Sequence, residues 1–198
     1  LRRWFHYQQG GFLPTKYRVW QKPREIGEAE ARYRSTLVEL AEELLQDQSV
    51  KLRFFPMHMA GSENDAGFAR EIIASLSSPE RCEVIEEDNL SPDEYLNMIS
   101  ECKVFVASRL HSAILASVAR VPALCLYYVD KGRLFFEQLS LSEYAVDIAS
   151  THDSDSSAML IEKINQLVND PSLAPRRDKA LAEMRERLRS DLKGALGL

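Results

Sequence analysis

The stretch Lys103-Val-Phe-Val-Ala-Ser108, followed without a break by Arg109-Leu-His-Ser-Ala-Ile-Leu-Ala-Ser-Val-Ala119, decides how the rest of the chain reads. Its first half is a short apolar run with β-branched and aromatic residues, the pattern of a strand covered on both faces. Its second half, Leu110–Ala119, is apolar on most sides, as a helix packed in the interior must be. A buried strand that runs straight into a buried helix is half of a βαβ unit.

The same alternation extends in both directions. The runs Val50–Pro56, Cys82–Glu86, Ala123–Tyr128 and Tyr144–Ile148 also read as strands. Between them, apolar residues recur at helical spacing. Tyr33, Leu37, Leu40, Ala41, Leu44 and Leu45 form one stripe within 28–48; Phe68, Ile72, Ile73 and Leu76 form a second. Tyr95, Met98 and Ile99, then Leu160, Ile164, Leu167 and Val168, then Leu181, Met184, Leu188 and Leu192 mark three more. Ser91-Pro92-Asp93-Glu94 is a cap, a proline at the first helical position and an acid three after the cap; Ser62-Glu63-Asn64-Asp65 is a weaker version. The expected fold is α/β: a Rossmann-like parallel sheet with helices on both faces. It spans residues 1–170, with a C-terminal helix over 171–198 that packs on the body or on a further domain. Ser150–Ser157 reads as a polar loop, and Asp170-Pro171 through Pro175 as the break before the last helix. The charges from Arg176 to Lys193 read as a solvated face.

Composition narrows the function classes. A chain of 198 residues with 45% hydrophobic and 28% charged content has the makeup of an ordinary globular domain. Its net charge of -5 argues against a nucleic-acid partner, which would need a basic stripe. No apolar run has the length of a membrane span, and the N-terminus lacks a signal-peptide core. Cys82, Cys102 and Cys125 are far apart and lie in or beside apolar segments, so they read as buried thiols in a reducing cytoplasm. A peripheral place at the inner membrane face is the second option for location. The opening Leu1-Arg2-Arg3-Trp4 lacks an initiator Met, and reads as the end of a strand in a piece of something longer.

In such sheets ligands gather at the carboxyl ends of the strands, where helices present free N–H groups. Ser108 suits the N-cap there, with Arg109 and His111 projecting from the first turn beside the positive end of the helix dipole. A guanidinium fork, an imidazole and orphan donors suit an anion. The bland alternative is an Arg109 ion pair with a neighbouring acid and a His111 that only caps the turn. Lys131 either points into the cleft as a phosphate partner or opens a helix as an exposed lysine. His58, just past Pro56, is either at the ligand edge or a surface-loop histidine. Asp65 reads as a helix cap rather than a ligand. His6 and His152 receive no role.

Ser108-Arg109-Leu110-His111, the apolar helix, Val121-Pro122, and Tyr128-Val129-Asp130-Lys131 together resemble the polysaccharide pyruvyl transferase family. Leu1-Arg2-Arg3-Trp4, Phe55-Pro56-Met57-His58 and Phe136–Tyr144 extend the resemblance over roughly 1–170; Ser140 stands where glycine is more usual. The resemblance implies the C-terminal, donor-binding half of a GT-B-like enzyme of cell-envelope polysaccharide biosynthesis. Such an enzyme moves a pyruvyl group from phosphoenolpyruvate to a sugar of a polysaccharide or lipid-linked saccharide, without a further cofactor. It implies Arg109, Leu110 and His111 as the donor-binding triplet, with Ser108 beside it, and Arg2 (or Arg3) as a second donor arginine. His111 is the expected catalytic acid or base. The family's first domain is the implied partner, and without it the piece is expected to be inactive. The rival readings are a glycosyltransferase domain using a nucleotide sugar and a catalytically silent anion- or sugar-binding domain.

Overall fold

All five runs read as strands contain strands, each shorter than the run that predicted it. The computed structural model describes residues 23–57, 64–86, 90–127, 129–148 and 155–196, with side chains from Glu30 onward. In chain order the elements are α1 (Pro23–Leu44), β1 (Leu52–Phe54), α2 (Asp65–Ile73), β2 (Cys82–Val84), α3 (Pro92–Ser100), β3 (Phe105–Ala107) and α4 (Leu110–Val118). Then follow β4 (Ala123–Tyr127), α5 (Asp130–Gln138), β5 (Ala145–Asp147), α6 (Ser156–Asn169) and α7 (Leu173–Leu196). The fold is α/β with open parallel sheets flanked by helices. The strands divide between two short sheets: β1 pairs with β2, and the second sheet has the order β3-β4-β5. The chain divides in the same way into two compact units, 1–91 with 147–163, and 92–146 with 164–198.

In the first unit β1 and β2 run parallel, with Leu52 opposite Cys82 and Phe54 opposite Val84. Arg53 and Glu83 are register partners and their side chains pair at 3.2 Å, so the exposed face of the ladder carries a matched charge pair. The α1 stripe buries Tyr33, Leu40, Ala41 and Leu45. Ala41 and Leu45 meet Leu76, with Val38, Leu52 and Cys82 packed around them. Tyr33 stacks on Phe68 with ring centroids 6.3 Å apart, and the Arg34 guanidinium lies over the Phe68 ring, 5.3 Å from its centroid, while pairing with Glu71. The helix α2 starts differently from the expectation. Asn64 is its cap, with Oδ1 accepting from Gly67 N–H at 2.9 Å. Asp65 is the first helical residue, and its carboxylate accepts from the Met57 N–H at 3.1 Å, which ties the turn after β1 to the helix. The reason is that Asn64 holds extended backbone angles and already supplies the acceptor a cap needs.

In the second unit β4 is the most deeply covered strand. Leu124, Cys125 and Leu126 are all essentially buried, and a leucine so placed contributes about 1.5–3 kcal/mol. The helix α4 meets the sheet through small residues: Ala113 and Ala116 are fully buried. The buried hydroxyl of Ser117 satisfies itself on the Ala113 carbonyl at 2.8 Å. Val118, at 54% exposure, lies on the one side of this interior helix that faces outward.

Three further expectations change. The helix α7 begins at Leu173, so Pro175 lies in its first turn, where the missing N–H costs nothing. Its charges are not all solvated: Arg177 is 4% exposed and Arg176 is half-buried. Of the thiols only Cys125 is buried; Cys82 and Cys102 are half-buried. Burial pushes the Cys125 thiol up to about 12. Among the described residues no helix is long and apolar enough to cross a membrane. Residues 150–154 of the expected polar loop lie outside the described residues, and Ser156 already belongs to α6.

Candidate functional site

The second sheet sets the geometry. β3 and β4 run parallel, with Phe105 opposite Ala123 and Ala107 opposite Cys125. Their carboxyl ends therefore share one edge, and so do the helices α4 and α5 that follow them. This brings Ser108, Arg109, Leu110, His111 and Lys131 to a single edge. Ser108, His111 and Lys131 are exposed there; Arg109 and Leu110 are half-buried. Arg2, Arg3 and His58 lie outside the described residues.

The start of α4 corrects the expected cap. The extended backbone continues through Arg109, which has φ -131 and ψ 147 and is itself the N-cap residue. Ser112, three residues on, reaches back: its hydroxyl accepts from the Arg109 N–H at 3.4 Å and donates to the Arg109 carbonyl at 2.7 Å. The first helical bond then runs from Ala113 N–H to the same carbonyl at 3.1 Å. The sequence contains two serines here, and Ser112 serves the turn because the extended backbone runs through Arg109, which leaves Ser108 one residue outside the cap. Arg109 consequently leaves from the cap, one position earlier than expected. By helix geometry the N–H groups of Leu110 and His111 have no intrahelical acceptor and open toward the edge.

The start of α5 is a helix that the apolar pattern alone did not single out. Val129 is its cap, and Lys131 stands exposed in its first turn. Gly132 lets this turn lie against β4: a β-carbon there would come within 2.9 Å of Tyr127 Cβ and 3.1 Å of Cys125 Sγ. A glycine three residues after a cap is the signal that could have located this helix in the sequence.

Charge separates the two helix starts. The first turn of α5 contains Asp130, which pairs with Arg133 at 3.3 Å. The first turn of α4 contains no acid and is flanked by Arg109 and His111. An anion brought to this edge meets the positive end of the α4 dipole with no acid in its first turn, and at α5 an acid, Asp130, already paired with Arg133. That difference suits the α4 start, rather than the α5 start, to an anion.

A family model described as polysaccharide pyruvyl transferase matches residues 16–130. The chain belongs to that family. The matched span is more than half of the 198 residues and contains the whole β3-α4-β4 segment with the Ser108–His111 turn. It ends one residue before Lys131, and Arg2 and the 136–144 stretch also lie outside it. No solved structure matches the chain. Membership of the family carries pyruvyl transfer to a polysaccharide as the general activity.

Proposed function

We propose that this chain binds phosphoenolpyruvate at the start of α4 and supports transfer of its pyruvyl unit to a sugar of a polysaccharide or lipid-linked saccharide. The observation that carries the proposal is the acid-free first turn of α4, flanked by Arg109 and His111, inside the span matched by the family model. Phosphoenolpyruvate has an anionic group at each end. Arg109 takes one as a planar fork, with the Leu110 and His111 N–H groups and the Ser108 hydroxyl beside it. Lys131, Arg2 and His58 are the further donor-side residues in this reading, which needs no cofactor because the donor carries its own leaving group.

The chemistry balances as ketal formation. One sugar hydroxyl adds to the central carbon while C3 gains a proton and becomes methyl. The second hydroxyl then forms the other C–O bond as the C–O bond to phosphate breaks, and its proton leaves with inorganic phosphate. A histidine can give and take protons in such steps, and His111 is assigned that role in this reading. In the same reading the segment 1–170 is the donor-binding half of a two-domain, GT-B-like enzyme, the helix after it contacts the body or the other domain, and the acceptor enters from that domain.

Calorimetric titration decides between donors. Phosphoenolpyruvate should bind in preference to uridine diphosphate, and Arg109→Ala should remove that preference. Tighter binding of uridine diphosphate would turn the reading to a nucleotide-sugar glycosyltransferase.

A further inference from the structure

The two helices that begin at the ligand edge also end alike. At the end of α4, Val121 N–H bonds to Ala116 C=O at 2.9 Å and Arg120 N–H to Ser117 C=O at 3.1 Å. At the end of α5, Leu141 N–H bonds to Phe136 C=O at 2.8 Å and Ser140 N–H to Glu137 C=O at 2.9 Å. Both are Schellman closures, which place one residue in the left-handed region, a position that favours glycine. Here those residues are Arg120 at φ 62 and Ser140 at φ 57, the only non-glycine residues at positive φ among the described residues.

Each of these two carbonyls accepts from one of two adjacent arginines of α7. Arg177 Nη1 donates to Arg120 C=O at 2.8 Å, and Arg176 Nη1 donates to Ser140 C=O at 2.9 Å. Neither guanidinium is loose. Arg177 is almost wholly buried and its Nε donates to Asp178 at 3.0 Å. Arg176 is gripped by Glu143 at 2.6 Å and Asp170 at 2.6 Å, and Asp170 also accepts from the Tyr144 hydroxyl at 3.0 Å. Successive residues on a helix diverge by about 100°, so one short segment of α7 reaches the ends of both helices. A positive group at a helix C-terminus is also favoured by the dipole.

We propose that Arg176 and Arg177 are a positioning pair: by holding the carboxyl ends of α4 and α5 from one rigid segment, they set the spacing of Arg109 and His111 against Lys131 at the opposite ends. The proposal rests on the donor reading of that edge. A helix of nine residues is only about 13 Å long. A tilt at its clamped end is therefore carried to the residues that meet the anion, and a misplacement near 1 Å can cost up to about 100-fold.

The test uses Arg177→Met and Arg176→Met, each also paired with the glycine that relieves the strained partner, Arg120→Gly or Ser140→Gly. Melting temperature and the Kd for phosphoenolpyruvate are read on the same samples, beside Arg109→Ala. The glycine-paired variants should regain part of the lost melting temperature yet bind phosphoenolpyruvate about tenfold or more weaker. Arg177→Lys, which keeps one donor, should recover part of the affinity and is the deciding variant should Arg177→Met fail to fold. Folded clamp variants with parental affinity would overturn the positioning role while leaving the donor reading intact. A parent protein that does not bind phosphoenolpyruvate, or an Arg109→Ala that binds it normally, would overturn the donor reading and the positioning role with it.

Discussion

A β-carbon on Gly132 would stand 2.9 Å from Tyr127 Cβ, so the first turn of α5 lies as close to the end of β4 as a glycine allows. Gly132→Ala therefore presses on rigid strand atoms. The overpacking costs about 1–3 kcal/mol, and the gain of about 1 kcal/mol from helix propensity offsets only part of it. Gly194, in the last turns of α7, has nothing within 4 Å of such a carbon. Gly194→Ala should be neutral or stabilising by up to about 1 kcal/mol. Urea unfolding should give opposite signs for the two variants, and a stabilised Gly132→Ala would contradict the close packing.

The left-handed residues predict gains. An L-residue there costs about 1–2 kcal/mol, against which glycine loses roughly 0.5–1 kcal/mol of chain entropy. Ser140→Gly and Arg120→Gly should each raise stability by a few tenths to about 1 kcal/mol. Lowered urea midpoints in both would mean that the side chains at these positions contribute more than the strain costs.

Acid should weaken the Asp170 junction. The Ser172 hydroxyl, then the Ser172 N–H, Tyr144 and Arg176 hold the Asp170 carboxyl down to about 2, against a partial opposing effect of burial. A carboxyl depressed on folding stabilises above its ordinary value of 3.8 and loses that contribution as pH falls toward 2. Stability measured from pH 5 to 2 should fall through that window, and Asp170→Asn should flatten the slope while lowering stability at neutral pH. An unchanged slope in Asp170→Asn would assign acid sensitivity elsewhere.

The donor site predicts a split between affinity and turnover. Arg109→Ala should weaken phosphoenolpyruvate binding by about 1.5–3 kcal/mol, the range of a charge-assisted hydrogen bond, and Arg109→Lys should restore only part of it. His111→Ala, assayed in the two-domain enzyme, should lower kcat more than donor affinity when His111 handles protons. An effect on affinity alone would leave it a hydrogen-bonding role. An Arg109→Ala protein with a lower melting temperature and intact donor affinity would make Arg109 a structural ion-pair residue.

By itself the sequence determined the alternation of strand and helix, because short apolar runs and stripes at helical spacing are local patterns of burial. It located all five strands, the Pro92 start of α3 and the turn that carries Arg109 and His111. Local chemistry did not choose between competing hydroxyls or carboxylates. Whether Ser108 or Ser112 serves the α4 start depends on where the extended backbone stops, and Asn64 rather than Asp65 caps α2 for the same reason. The helix α5 stayed hidden because its exposed Leu134 and half-buried Phe135 blur the apolar stripe, while its buried Gly132 contributes no side chain to one. Only the tertiary structure decided the roles of Arg176 and Arg177. In sequence they belong to a run of mixed charge, whereas their partners, the carbonyls of Ser140 and Arg120, lie 36 and 57 residues away. Long-range hydrogen bonds to backbone carbonyls leave no mark on residue type, since every residue has a carbonyl to offer.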